Sequence, residues 1–274
     1  AARTYLAFQH DAKLHRLPTR VTAIHALSSL DEANRGLFKQ ATDQDHDHHV
    51  VVTEQTIFHP QGGGQPSDVG TMTGPAGETF DVQAVRMDAV QEGQVLHFGR
   101  FATTTNNPAS SFNPGDTVEQ AIDADKRLLY SRLHTAGHVL GAAVRHLVMK
   151  EVEGFDELKA SHFPDSAACE FAGLIGAQWK EPVQRKVDEY VAAAMPVEIG
   201  WWDEEDFRRN GLERLIPDRS LVAAGEKFRV VNIVGAEVYP CGGTHVDRTD
   251  LCGSTKVKKI SRSKGTSRVS YTVA

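Results

Sequence analysis

Cysteine is scarce in this chain of 274 residues: Cys169, Cys241 and Cys252 are all it has. An odd, sparse count is poor material for a disulfide framework and points to a reducing compartment. No apolar run reaches the ~18 residues that a membrane-spanning helix needs. A large excess of either charge is lacking too, with 30 Lys and Arg against 36 Asp and Glu. The formal net charge of −6 and pI near 6.1 argue against an overall basic nucleic-acid binder, while leaving room for a local basic face. There are no internal repeats and no low-complexity segments. The opening AARTYLAFQH is too polar for a secretory signal and has no initiator Met, so the expectation is a cytoplasmic chain, trimmed at its start, with no membrane partner.

What is present reads as two domains of ordinary globular composition, 40% hydrophobic and 24% charged. Residues 1–115 look β-rich. RVTAIHAL, HHVVVTEQTIF, DVQAVRMDAV and QVLHFGR are short runs separated by the turn-forming PQGGGQPSDVG and GPAGE, which predicts a small barrel or sandwich. FATTTNNPASSFNPGD, residues 101–116, supplies the boundary. Residues 116–274 change texture. One long helix is predicted from Asp123 to about Lys150, a second over EPVQRKVDEYVAAAM and a third over DEEDFRRNGLERLI. SAACEF, KFRVVNIVG, STKVKKISR and SRVSYTVA read as strands. The fold class is therefore α+β: a β-barrel followed by a domain of helices packed on an antiparallel sheet.

VYPCGGTHVD places Cys241 and His245 four positions apart, half of a metal site. LHTAGHVL supplies the other half, because His134 and His138 share one helix face, one turn apart. An HExxH protease would carry Glu beside its first histidine; Thr135 stands there instead. Gly242 and Gly243 are expected to bend the backbone so that the thiolate and imidazole meet, and this donor set suits Zn²⁺. Each motif alone also reads as a structural pair of buried histidines or a plain turn. GGGQPSD lacks the Lys-Ser/Thr ending of a phosphate loop, so no nucleotide cofactor is expected. QDHDHHV, with His46, His48 and His49, reads as a solvated loop entering a strand. Cys169 reads as core, and Cys252 as a structural thiol that leaves a substitute-ligand role open.

HTAGH, then CGGTH about a hundred residues later, preceded by TIFHPQGGGQPSDVG, resembles the alanyl-tRNA editing proteins of the AlaX type. These are related to the editing domain of alanyl-tRNA synthetase and the second additional domain of threonyl-tRNA synthetase. The resemblance runs over nearly the whole chain, and no adenylation core precedes the motifs, which leads to the expectation of a free-standing editor. It implies a metal-dependent hydrolase that cleaves the ester of mischarged tRNA for alanine, chiefly Ser-tRNA and also Gly-tRNA, with one zinc ion held by His134, His138, Cys241 and His245. Four protein ligands would fill a tetrahedral ion, so either one of them, foremost His245, binds loosely or through water, or the ion becomes five-coordinate. Whether the ion acidifies water or anchors the substrate amino group stays open. His134, His138 and Gln65 are the catalytic candidates; Gln65, Thr56 and Asp68 are the substrate-binding candidates.

His162 in KASHFPD falls where family members carry a lysine- and glycine-containing strand, and receives no role. Lys256, Lys258, Lys259, Arg262, Lys264 and Arg268 form a local basic run that a phosphate backbone requires, although such a run also serves as a plain solvated face. Lys256 and Lys258 are expected on one side of a strand. Editing is needed because a pocket shaped for alanine rejects an added hydroxyl by only ~10²-fold, whereas a second pocket with a partner for that hydroxyl reaches ~10⁴-fold. Two alternatives remain at this level: editing in the threonine system, or a non-catalytic zinc-containing tRNA-binding module.

Overall fold

The computed structural model describes residues 2–39, 47–103 and 110–274. His46 of the histidine cluster lies outside them. The chain divides into two compact units, Ala1–Gly62 with Pro66–Arg127, and Gly63–Gln65 with Leu128–Ala274. Among the described residues, no helix is long and apolar enough to cross a membrane.

The first unit is a closed antiparallel barrel. Its strands are β2 (Arg16–Ala26), β3 (His48–Thr53), β5 (Gly70–Thr73), β6 (Thr79–Met87), β7 (Val95–Phe101) and β8 (Thr117–Ile122), in the order β2-β3-β7-β6-β5-β8. Two short strands, β1 (Tyr5–Leu6) and β4 (Gln55–Thr56), pair in parallel, and α1 (Glu32–Arg35) is a single turn. The apolar run Val50-Val51-Val52 is continuous because β3 is covered on both faces. Val51 packs with Phe58, Met72, Phe80 and Val118, while Val50 and Val52 pack with Phe38, Leu96 and Phe98. β8 lies past residue 115, and Phe112, inside the Thr/Asn/Pro-rich stretch, is buried in the barrel core. A segment rich in turn formers can join two strands of one barrel as readily as two domains. His48 corrects the solvated-loop expectation: it opens β3, is buried, accepts from Arg100 and meets Gln83, with its ring against Phe38. The barrel closure buries the position that local polarity placed in water.

Helix α2 (Ala124–Val148) crosses the boundary between the units. The Asp123 carboxylate accepts from the Lys126 amide at its N-terminus, and the Arg145 guanidinium sits in its last turn, both favourable to the helix dipole. The second unit continues with β9 (Asp156–Ser161), β10 (Ala168–Ala172), α3 (Lys180–Ala192), β11 (Val197–Trp202), α4 (Glu204–Arg209), β12 (Phe228–Ile233), β13 (Glu237–Pro240), β14 (Thr255–Ser263) and β15 (Thr266–Val273). They form two antiparallel sheets, β14-β15-β10-β9 and β11-β12-β13. One face of α2, with Leu133, Ala136, Leu140 and Val144, joins Phe171, Val187, Val257, Val269 and Tyr271 in the core. The fold class is α+β. The third predicted helix is only the six residues of α4, capped reciprocally by Asp203 and Asp206; Asn210 and Gly211 end it.

Candidate metal centre

In the second unit one ligand atom from each of His134, His138, Cys241 and His245 lies within 4.8 Å of the other three. Cys241 Sγ is 3.4 Å from His134 Nε2 and 3.3 Å from His245 Nε2. Donors of a tetrahedral zinc with normal bond lengths stand about 3.5 Å apart, so the spacing fits the ion. Among the described residues His138 Nε2 is buried with no hydrogen-bond partner, an arrangement a metal bond resolves. His245 stands no farther from the thiol than His134 does, so the geometry gives no sign that His245 is the loose member.

α2 sets the first two histidines. Their rings stack at 4.9 Å, with the one-turn stagger that i,i+4 positions impose. Cys241 and His245 come from the loop after β13. The glycines of that loop act differently from the sequence expectation: neither Gly242 nor Gly243 has positive φ. Gly243 is required by close approach, since a Cβ there would sit 2.3 Å from His134 Cε1 and 2.5 Å from Gln65 Oε1.

A layer of hydrogen bonds fixes the rings. Gln65 Oε1 accepts from the Thr244 amide at 3.0 Å and lies 2.7 Å from His134 Nδ1. An amide oxygen only accepts, so His134 carries its proton on Nδ1 and turns the Nε2 lone pair toward the cluster. Gln65 Nε2 donates to Thr244 Oγ1, which also meets Ser131 Oγ. Thr135 Oγ1 accepts from the Val246 amide and lies 3.0 Å from His245 Nδ1. The Tyr239 ring lies over His138 at 4.5 Å, and its hydroxyl donates to Glu157, itself paired with Arg145.

Burial keeps the His138 and His162 imidazoles neutral. Burial pulls His138 down to about 3, with His162 a smaller repulsive cause, and pulls His162 down to about 4. Burial pushes the Cys241 thiol up, while the Gly243 amide and the Arg229 guanidinium pull it back toward thiolate. Cys252 is fully buried in the core, pushed up chiefly by burial to about 12, and is not a member of the cluster.

The other candidates fall as follows. Gln65 belongs to the second unit and touches two motif residues. Thr56 and Asp68 belong to the first unit, and both are buried there. Thr56 Oγ1 accepts from the Phe58 amide and gives its hydrogen to His97 Nε2, whose Nδ1 serves Val51 O. Asp68 pairs with Arg127, which also donates to Ala12 O and Ile57 O. Lys256, Lys258, Lys259, Arg262, Lys264 and Arg268 are all exposed on the β14–β15 hairpin. A bulge between Val257 and Lys259 puts Lys258 and Lys259 both outward. Arg262 also donates to Ile175 O, and Arg268 pairs with Glu170. Sequence reasoning missed Thr135 and Thr244, although each stands beside a motif histidine, and gave no role to His162, whose ring stacks on His134 at 4.3 Å.

Residues 228–270 match the family model described as the threonyl and alanyl tRNA synthetase second additional domain. That span holds Cys241 and His245 and excludes the α2 histidines. The chain is 29% identical over 83% of its length to an alanine--tRNA ligase of Methanosphaera stadtmanae, covering 24% of that protein. It is 32% identical over 77% of its length to the alanine--tRNA ligase of Halobacterium salinarum, covering 21% of it. It is also 29% identical over 81% of its length to the alanyl-tRNA editing protein AlaX-L of Pyrococcus horikoshii, covering 50% of it. The chain thus spans under a quarter of the length of these ligases and half that of AlaX-L. Over about four-fifths of its length the chain is homologous to the editing domain of alanyl-tRNA synthetase and to AlaX-L.

Proposed function

We propose that this protein is a cytoplasmic hydrolase that removes wrongly attached serine, and glycine, from tRNA for alanine at a site holding one zinc ion. The observation that carries the reading is the convergence of His134, His138, Cys241 and His245, within 4.8 Å of one another, in a chain homologous to alanyl-tRNA editing proteins. The family model's description covers both threonyl and alanyl systems, but the named relatives are of the alanine system, which favours alanine over threonine.

His134, His138, Cys241 and His245 would hold the ion, which would supply Lewis-acid polarisation of an ester carbonyl or a water at neutral pH, or anchor the substrate amino group. Gln65 acts as a positioning residue: by accepting a hydrogen bond from His134 Nδ1 it presents Nε2 as a donor atom. Thr135 Oγ1, 3.0 Å from His245 Nδ1, orients that ring. The Gly243 amide and Arg229 favour Cys241 as thiolate, the form that binds metal. The lysines and arginines of the β14–β15 hairpin contact tRNA phosphates. Thr56 and Asp68 hold the barrel unit together from within.

The deciding experiment incubates purified protein with Ser-, Gly- and Ala-charged tRNA for alanine, with and without a chelator. Ser should leave fastest, Gly next, Ala should stay, and chelation should stop the reaction. Stable Ser-tRNA overturns the reading.

A further inference from the structure

The polar side chains around the cluster are engaged with one another. The Gln65 amide serves His134 and Thr244, Thr244 meets Ser131, and Thr135 serves the Val246 amide and His245. His162 differs. It follows β9, its backbone amide donates to Gly64 O, and the residue is only 3% exposed. Its Nδ1 lies 2.7 Å from the Tyr271 hydroxyl, which donates its single hydrogen to Leu133 O at 2.7 Å. The hydroxyl must therefore accept from His162, which fixes the proton on Nδ1 and leaves the lone pair on Nε2. Among the described residues that Nε2 has no partner, and it is not among the buried polar atoms cut off from solvent. One acceptor atom of a buried ring is thus left open beside a proposed zinc ligand, stacked on His134 at 4.3 Å and 29°.

The chain makes room for this ring. A Cβ at position 137 would fall 2.3 Å from His162 Cε1 and 2.7 Å from the Tyr271 hydroxyl, so the glycine of HTAGH admits the imidazole against α2. An imidazole held this way, with one nitrogen anchored and one offered, is built to receive a hydrogen.

We propose that His162 is the specificity-determining residue of the site, its Nε2 accepting the side-chain hydroxyl of a seryl ester. This rests on the editing reading above and names the group that separates serine from alanine. The two differ by one hydroxyl. Serine satisfies Nε2, whereas bound alanine leaves a buried acceptor without its water or any partner, a cost that enforces rejection. Glycine, too small to exclude water from the position, is cleared without this contact.

The test compares hydrolysis of Ser- and Gly-tRNA by wild type, His162→Ala and Tyr271→Phe, with zinc content and melting temperature measured on each. His162→Ala should lose on the order of a hundredfold on Ser-tRNA and little on Gly-tRNA. Tyr271→Phe, which removes the relay that sets the tautomer, should move the same way by less. An independent readout is the ¹⁵N shift of His162 Nε2 in wild type on adding a non-hydrolysable seryl-amide adenosine. The shift should change with the seryl compound and not with its glycyl counterpart, and this decides the matter if the variants fail to fold. Equal loss on both esters, no loss on either, or identical shifts overturn the inference while leaving the editing reading intact. Wild type that clears neither ester overturns both.

Discussion

Gln65 and His134 are joined by a hydrogen bond of 2.7 Å, although 68 residues of chain lie between them. The bond joins Gln65 of the glycine-rich segment to the HTAGH helix and makes this residue part of the candidate metal centre. Gln65→Ala should lower zinc affinity or deacylation by roughly 10–100-fold, the usual effect of removing a partner that orients a ligand. Zinc competition and single-turnover deacylation check this. Unchanged values in both would confine the loop to holding its own turn.

Cys241 supplies the one sulfur of the cluster. Cys241→Ala should reduce zinc from one per chain to a small fraction, read by elemental analysis after dialysis, and should abolish deacylation. Full metal content together with undiminished activity would remove the ligand assignment.

Gly243 is held by contact rather than by backbone conformation. Gly243→Ala drives a methyl into His134 and Gln65, and such overpacking costs about 1–3 kcal/mol. Both the melting temperature and zinc content should fall. Gly62→Ala, where the nearest atom to a new Cβ is 3.9 Å away, should change neither.

His97 gives the barrel a pH response. Burial pulls its pKa from the ordinary 6.5 to about 4, against a smaller opposing pull from Val51 O. The depressed folded value means that its contribution to stability is present in full above pH 6.5 and is lost as pH falls toward 4. Urea denaturation at pH 7 and pH 5 should show wild type losing stability on acidification. His97→Gln should lose less over the same interval; equal losses would assign the acid sensitivity elsewhere.

Lys258 and Lys259 point outward together because of the β14 bulge. Reversing both charges to Glu should weaken Ser-tRNA turnover at low substrate and flatten its dependence on salt, by about one unit of log-log slope per lost phosphate contact. A variant with wild-type salt dependence would return these lysines to guarding the edge strand from pairing with another chain.

The strongly periodic or motif-bearing parts of the site were legible in the chain. The 124–148 helix showed its apolar stripe and acidic start, and its stagger alone puts His134 and His138 on one face. β9, β11 and β13 were not legible. DELKAS, VEIGWW and EVYP lie half in water and carry charges that mask alternation, so only pairing with longer neighbours makes them strands. His48 failed for the converse reason: a polar local sequence was overruled by barrel closure.

By itself the sequence determined the chemistry: three imidazoles and a thiol at spacings that can meet, a glycine-rich loop, and a basic hairpin in an acidic chain. Tertiary structure alone decided which groups serve them. It brought Gln65 to His134, turned Thr56 and Asp68 into interior supports of the barrel, and left His162 with one nitrogen bonded and the other open. Those outcomes depend on contacts between residues tens to more than a hundred positions apart. No local propensity encodes them, because they arise only when burial forces each polar atom to find a partner.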